Sequence, residues 1–385
     1  MTVFLFIFFL LLSAYGLLFD YYRRSWNAIP EYVPSHAANV KVSVIVAIRN
    51  EEKNIGTLLS CFLLQDYPKN LFEIIIVDDH STDASEEKCN ERCSEFNKGS
   101  SGYDYFIELH YIKLEEGFTS KKTAISAGVQ IATGDLIITT DADCTMPASW
   151  ISTVACYFEK TGAKFIASPV LMHGGRSMLS IFQSLDFLTL QGITGASVYK
   201  NVHSMCNGAN LAYSKNAFME VGGFEGIDNI PSGDDMLLMH KIFNKYPRHV
   251  YYLKNNDAII KTSSEQSFNT FFNQRIRWAS KAAHYKDKKI FYVLLLTYFV
   301  NGCFLILAIS AFIQFKWLLF LLLFLLAKII IEFPFVNSVA MFFGQTALMV
   351  YFPFLQPVHI IYTIIAGWLG RFGSYQWKSR IIKNN

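Results

Sequence analysis

Charge is scarce in this chain of 385 residues: Asp, Glu, Lys and Arg make up 17% of it, against 52% hydrophobic residues and 34 Phe. That balance excludes an ordinary soluble enzyme. Paired cysteines are missing as well. The seven Cys, at positions 61, 89, 93, 144, 156, 206 and 303, form no Cys-x-x-Cys spacing and have no accompanying His set, so they read as reduced cytosolic thiols and give no expectation of a zinc site. A secretory leader is not indicated either, because no positive charge precedes the first apolar run and no small-residue cleavage site follows it. No internal repeat or low-complexity segment interrupts the chain, and a net charge of +3 says little about partners.

What is present is apolar sequence concentrated at the two ends. Thr2 to Phe19 is uncharged and then meets Asp20, Arg23 and Arg24, a helix just long enough to span a bilayer. The positive-inside tendency puts its N-terminus outside and the following residues in the cytoplasm. Ile290 to Phe315 is a second uncharged run, and Trp317 to Ala327 opens a third that continues through Lys328 and Glu332. Those two residues, four apart, share a helical face and are expected to pair. From Phe333 to Gly370 no charge occurs, a stretch longer than one span, with Pro353 and Pro357 breaking it near Phe354 to Gln356. A helical hairpin or a kinked span with an interfacial helix fits, giving three or four C-terminal spans; the tail Lys378, Arg380, Lys383 favours a cytoplasmic C-terminus and hence the hairpin. Arg275, Arg277, Lys281, Lys286, Lys288 and Lys289 lie directly before the second span, which favours anchoring at a membrane surface over nucleic-acid binding.

Between about residues 40 and 262, short β-rich runs alternate with polar, helical stretches, the pattern of a parallel α/β sheet. Strands are expected at Val40 to Ile48, Phe72 to Val77, Tyr105 to Leu114 and Leu136 to Thr140, with a helix reaching Gln65. Each polar cluster follows a strand, at the edge where open α/β sheets bind ligands. The sharpest is Asp141-Ala-Asp143. Asp is disfavoured inside a strand, so the pair belongs where the strand opens into a loop, with side chains two apart pointing the same way. A hard cation such as Mg²⁺ takes one or two carboxylates and lets substrate phosphates complete its shell. Taken alone, each cluster has a plainer reading: surface turn aspartates, or, for Asn50, Glu51, Ser81 and Thr82, helix caps and first-turn acids.

Taken together, the clusters resemble glycosyltransferase family 2. The matching stretches are Val42 to Glu52, Val77 to Asp83 (Val-Asp-Asp-His-Ser-Thr-Asp), Lys121 to Gly128, Thr140 to Asp143, Gly208 to Tyr213, Gly222-Gly-Phe224, Gly233-Asp-Asp235 and Gln274-Arg-Ile-Arg-Trp278. The resemblance implies a GT-A fold, Rossmann-like with a mostly parallel sheet, carrying one N-terminal and three or four C-terminal transmembrane helices. Its expected divisions are a span at 1–24, a nucleotide-sugar half at 40–145, an acceptor half at 146–262, interfacial amphipathic helices at 263–289, membrane helices at 290–372 and a basic tail at 373–385. It also implies that Asp79 accepts a hydrogen bond from a uracil-like base, with Asn50 and Glu51 beside the nucleoside. Lys121, with Lys122 as its alternative, falls near the diphosphate or sugar, Asp141 at the ribose or sugar and the metal, and Asp143 on the metal, Mg²⁺ or Mn²⁺. The family often has Asn where this chain has Ser126.

Sugar transfer from a nucleoside diphosphate needs a sink for charge on the leaving phosphate, an acceptor hydroxyl in line, and a base for its proton. On chemistry alone either Asp234 or Asp235 can be the base; the resemblance implies Asp235, which matches the acidic position of the family's Glu-Asp element in its spacing to Leu238 and Lys241, while the plain reading makes both the start of a helix. Arg277 suits the diphosphate, Gln274 falls in register with it, and Trp278 offers a flat face to an acceptor; aromatic and basic anchoring at headgroups is the plainer reading. The resulting expectation is an inverting, metal-dependent transferase using a UDP-sugar and a lipid-linked or membrane acceptor, its catalytic part in the cytoplasm at a bacterial inner membrane. A processive polysaccharide synthase is the alternative, with nucleotidyl transfer and a non-catalytic membrane scaffold behind it.

Overall fold

The computed structural model describes residues 1–98, 107–117, 120–202, 205–228, 230, 233–281, 288–377 and 380–383. The chain divides into two compact units. One is built from residues 29–172 and 197–263, the other from residues 1–28, 173–196 and 264–385.

The first unit is a mostly parallel α/β sheet. Its strands are β1 (Val42–Ile48), β2 (Phe72–Asp78), β3 (Glu108–Lys113), β4 (Leu136–Thr140), β5 (Phe165–Ala167), β7 (Leu211–Ser214) and β8 (Val250–Tyr252), in the order β3-β2-β1-β4-β7-β5-β8. The first four run parallel; β7 is antiparallel to both its neighbours. A sheet covered on both faces needs apolar side chains on both, so its strands read as continuous hydrophobic runs. Accordingly all seven residues of β2 are buried, and Val44, Ile45 and Val46 of β1 are fully so. A second, two-stranded sheet pairs β6 (Val170–His173) with β9 (Ile260–Ser263).

The helices of this unit are α2 (Ile55–Leu63), α3 (Ser85–Lys98), α4 (Lys121–Ile131), α5 (Trp150–Thr161), α7 (Lys215–Glu220) and α8 (Asp234–Lys245). Helix α4 lies so close to the sheet that a Cβ on Gly128 would come within 2.6 Å of the Ile45 side chain. Helix α2 stops two residues before the expected Gln65, whose buried amide instead bonds the Pro147 carbonyl at 2.9 Å and the Ile151 amide at 3.0 Å. The expected start of β3, Tyr105 and Phe106, lies outside the described residues.

The second unit is helical, with α1 (Thr2–Ala28), α6 (Met178–Tyr199, up to Ala196), α9 (Phe268–Ser280), α10 (Lys288–Ile313), α11 (Trp317–Phe342) and α12 (Phe352–Phe372), followed by the hairpin β10 (Ser374–Trp377) and β11 (Arg380–Lys383). Four of these helices, α1, α10, α11 and α12, are long and apolar enough to cross a membrane. At 1.5 Å per residue α1 measures about 40 Å, more than the roughly 30 Å of a hydrocarbon core. Phe8 of α1 stacks on Phe324 of α11 at 4.3 Å and meets Phe304 of α10 edge-on at 4.9 Å.

Among the described residues the C-terminal region holds three such helices, with no hairpin between Phe333 and Gly370. Helix α11 runs through Glu332 and Pro334 to Phe342, and the break falls at residues 343–351, ahead of Pro353. Pro353 opens α12 instead of interrupting it, because a proline in the first turn gives up an N–H that would have no helical partner. The helix passes through its charged residues because they are neutralised internally. Lys328 Nζ meets Glu332 Oε1 at 2.5 Å and Gln356 Oε1 at 2.6 Å; Gln356 Nε2 donates to Glu332 Oε2 at 2.8 Å, and the Tyr15 hydroxyl to Glu332 Oε1 at 2.5 Å. All four residues are buried. Of the basic positions noted in sequence, Lys286 and Lys378 lie outside the described residues.

Candidate active site

Strand pairing brings the loops after β2, β1 and β4 side by side, since Ile48 lies opposite Asp78 and Val46 opposite Thr140. The first two loops are laced together. Asn50 N donates to Ser81 Oγ at 2.9 Å while its own Oδ1 accepts from Thr82 N at 2.8 Å; Glu51 N donates to Ser85 Oγ at 2.7 Å, and Glu52 N to Asp83 Oδ2 at 3.1 Å. Asn50 therefore braces the neighbouring loop, and the cap position of α2 belongs to Asn54. Both Asn50 and His80 adopt positive φ, 56° and 61°, a region that side chains enter at a cost and that clusters at ligand-binding loops.

At the tip of β2 the two adjacent carboxylates differ. Asp78 is structural: it accepts from Ser81 N and Oγ at 2.8 and 2.7 Å and from the Tyr111 hydroxyl at 2.6 Å. That bond and burial push the Tyr111 phenol well above its ordinary pKa, burial contributing most. Asp79, 5% exposed, has Arg49 Nη1 at 3.5 Å from one oxygen and His80 Nδ1 at 3.3 Å from the other.

The Asp-x-Asp pair sits in the turn after β4, its two carboxylates on different partners. Asp141 is about two-fifths exposed, and its Oδ1 accepts from Lys121 Nζ at 2.6 Å. Asp143 accepts from Thr262 Oγ1 at 2.9 Å through Oδ2, while Cys144 Sγ lies 3.8 Å from Oδ1. The loop is fixed to the start of β9 by two backbone bonds between Thr145 and Lys261, 2.9 and 2.8 Å long. Burial, the charge of Asp141 and, less, that of Glu51 push the Asp143 carboxyl above its ordinary pKa against the Thr262 bond. A carboxylate held among like charges is short of a cation, which is the condition a divalent metal relieves.

Lys121, in the first turn of α4 behind the Ser120 cap, joins this loop to the start of α8. Its Nζ is also 3.7 Å from Asp234 Oδ2. Burial would lower its pKa, but the charges of Asp141, Asp234 and Asp235 hold it above the ordinary lysine value. Lys122 turns elsewhere, donating to the Ile227 and Ile230 carbonyls at 2.6 and 2.5 Å. Asp234 and Asp235 form the first turn of α8, with Gly233 at the N-cap. Asp235 is buried; its Oδ2 accepts from Gly208 N at 3.1 Å and its Oδ1 from Met236 N at 2.8 Å. Gly208 fills a place with no room to spare: a Cβ there would lie 3.2 Å from Lys121 Nζ and 3.5 Å from Asp235 Cβ.

Thus Glu51, Lys121, Asp141, Asp143, Asp234 and Asp235 interact at one edge, with Asn50 and Asp79 on the adjoining loops. Gln274, Arg277 and Trp278 belong to α9 in the helical unit. There Gln274 Nε2 donates to Glu265 Oε1 at 3.1 Å. Trp278, half-buried, carries the Arg275 guanidinium 4.1 Å over its ring and has Phe187 at 6.0 Å. Arg275 corrects its reading as a surface anchor, being 2% exposed and ion-paired with Asp186 of α6 at 2.9 Å. Sequence reasoning read Arg275 only as an anchor and gave no role to Asp186, Thr262 or Arg49. Arg49 lies inside the matched stretch Val42 to Glu52, which was its one signal; the other three have partners far away in sequence.

Residues 43–222 match the family profile described as Glycosyl transferase family 2, and residues 136–367, more than half of the chain, that described as Glycosyl transferase family group 2. The chain belongs to glycosyltransferase family 2. Among curated relatives, this family-2 chain is 26% identical over 266 residues to the "Probable glycosyltransferase YdaM" of Bacillus subtilis, covering 68% of the chain and 60% of that protein. It is 30% identical over 165 residues to the undecaprenyl-phosphate 4-deoxy-4-formamido-L-arabinose transferase of Proteus mirabilis, covering 36% and 45%. The chain thus spans about half to three-fifths of the length of these relatives. The structure of the mannosyltransferase PcManGT from Pyrobaculum calidifontis, in complex with GDP-Man and Mn²⁺, is similar with a TM-score of 0.61 and 18% identity, over 95% of this chain and 98% of that one. At that identity the likeness shows the fold, a GT-A-like sheet with apolar helices.

Proposed function

We propose that this family-2 chain is an inverting, metal-dependent glycosyltransferase that moves a sugar from a nucleotide-sugar, a UDP-sugar in the first instance, to a lipid-linked or membrane acceptor. One observation carries the reading: Lys121 bridges Asp141 and Asp234 while Asp143 lies half-buried among like charges beside them. Asp143 and Asp141 would hold Mg²⁺ or Mn²⁺. When bound, such an ion supplies positive charge to the departing diphosphate. Lys121 adds a fixed cation at the same place. Asp79, with Asn50 and Glu51, receives the base and nucleoside, and Asp235 takes the proton of the acceptor hydroxyl. A bond from that oxygen to the anomeric carbon forms as the bond to the diphosphate oxygen breaks, inverting the carbon. GDP-Man and Mn²⁺ in the similar structure, and a lipid phosphate in the name of the Proteus relative, support the donor and acceptor classes. The Arg23 and Arg24 pair after the first apolar run supports a cytoplasmic catalytic unit at a bacterial inner membrane.

The test is a panel of nucleotide-sugars with Mg²⁺ or Mn²⁺, reading nucleotide release and the mass of the glycolipid. A gain of one sugar supports single transfer. Long polymer supports the synthase alternative, for which Gln274, Arg277 and Trp278 in register speak, and a new nucleotide-sugar with free diphosphate would overturn sugar transfer altogether. Asp143→Ala is expected to abolish metal-dependent turnover. In the wild type the raised pKa of Asp143 means that protons compete with the cation at higher pH than at an ordinary carboxylate. Apparent Mn²⁺ affinity should therefore fall on acidification beginning above the usual Asp range of about 3.9, as followed by Mn²⁺ electron paramagnetic resonance; an affinity flat down to that range would remove Asp143 from the metal. Gly208→Val should displace Lys121 and Asp235 together and lower turnover about 10²-fold, the usual cost of an ångström-scale misplacement. A variant with wild-type rates would show that the close approach at Gly208 is irrelevant to the chemistry.

A further inference from the structure

At the opposite, amino end of the sheet, Glu73 of β2 and Glu108 and His110 of β3 bring three potential ligand atoms within 4.8 Å of one another. Glu73 is 1% exposed. Its Oε1 is saturated by Ser43 Oγ at 2.5 Å, Thr133 N at 2.6 Å and Thr133 Oγ1 at 2.7 Å, whereas its buried Oε2 has no hydrogen-bond donor. That oxygen lies 3.4 Å from His110 Nε2, which in turn lies 3.1 Å from Glu108 Oε1. We propose that Glu73 Oε2, Glu108 Oε1 and His110 Nε2 form a second cation site, selective for a borderline divalent ion of the Zn²⁺ type, with solvent as the fourth ligand.

Zinc bonds of about 2.0–2.2 Å in a tetrahedron set neighbouring ligands roughly 3.3–3.6 Å apart, close to the two separations found. One imidazole with two carboxylates suits Zn²⁺ better than Mg²⁺, which prefers an all-oxygen octahedron. The three bonds to Oε1 fix the Glu73 carboxylate with its other oxygen turned to the ion, the role outer partners play in metal sites. Glu108 and His110 are open to solvent, so an ion can enter. Sequence spacing of Cys and His gave no hint of this site because two of its three ligands are carboxylates and the set is assembled across paired strands, Glu73 lying opposite Glu108 across the ladder. Five residues of strand separate Glu73 from Asp78, about 17 Å, so the donor-edge metal is a different ion. Bound there, the cation would fasten edge strand β3 to β2.

The test uses the full chain in detergent carrying Asp143→Ala, which removes one of the two donor-edge ligands. After equilibrium dialysis against Zn²⁺ in excess Mg²⁺, one Zn²⁺ per chain is expected. Adding His110→Ala should reduce this to none, and Glu108→Gln should weaken it at least tenfold; Co²⁺ should give d–d absorption saturating at one equivalent only while His110 is present. Zn²⁺ should also raise the melting temperature of the His110 protein and leave that of His110→Ala unchanged, with equal metal-free melting temperatures showing that both fold. No zinc in Asp143→Ala, or equal zinc with and without His110, overturns the site. The result is independent of sugar transfer, because His110→Ala alone should keep Mn²⁺-dependent turnover.

Discussion

Asp235→Asn is expected to lower kcat by about 10²–10⁴-fold, the range contributed by a positioned general base, while donor affinity stays within a few-fold of wild type. The amide keeps the shape of the carboxylate, and its single oxygen can accept from Gly208 N or from Met236 N, which Asp235 bonds at 3.1 and 2.8 Å, so an unchanged melting temperature is the control that separates proton acceptance from folding. Asp234→Asn should behave differently. Its carboxylate lies 3.7 Å from Lys121 Nζ, so its removal changes the charge balance around that ammonium and should appear mainly in KM for the donor. Rapid-quench measurement of nucleotide release by the two variants decides between them. Should Asp234→Asn suffer the larger loss in kcat and Asp235→Asn retain wild-type chemistry, the base is Asp234.

The second large effect concerns the helical unit. Glu332→Ala leaves the Lys328 ammonium buried with Gln356 as its partner, and should cost roughly 3–5 kcal/mol, as breaking one side of a buried pair does. Replacing the whole cluster with apolar residues of similar volume (Lys328→Met, Glu332→Leu, Gln356→Leu, Tyr15→Phe) should cost far less, since no charge or amide is then left unmatched. Unfolding free energies of the detergent-solubilised chain test this ordering. Equal losses in the two variants would mean that the cluster contributes packing and not charge compensation.

Much of the sheet was legible because parallel strands covered on both faces leave no polar alternation to obscure them: Val42 to Ile48, Phe72 to Asp78 and Leu136 to Thr140 stand out as apolar runs that stop on polar residues. The positions of Asp79, Asp141 and Asp143 follow from where those runs stop. What each carboxylate touches does not, because the partners are remote. Asp143 meets Thr262 across 119 residues, and Lys121 meets Asp141 across a helix and a strand. Arg275 misled for the same reason: its local neighbours are basic and lipid-directed in pattern, while the Asp186 that neutralises it belongs to an earlier helix. The prolines of the last apolar stretch misled differently, since Pro353 is a helix starter by position and a breaker only by reputation.

The Lys328 cluster also bears on how the chain is made. Lys328 and Glu332 come from one turn of α11, so they can neutralise each other as soon as that helix forms, without any residue of α12. Gln356 and the long-completed Tyr15 join afterwards, the former donating to Glu332 and accepting from Lys328, the latter donating to Glu332. If α11 enters a bilayer, its two charges can therefore be offset within one turn of its own, ahead of any contact with α12.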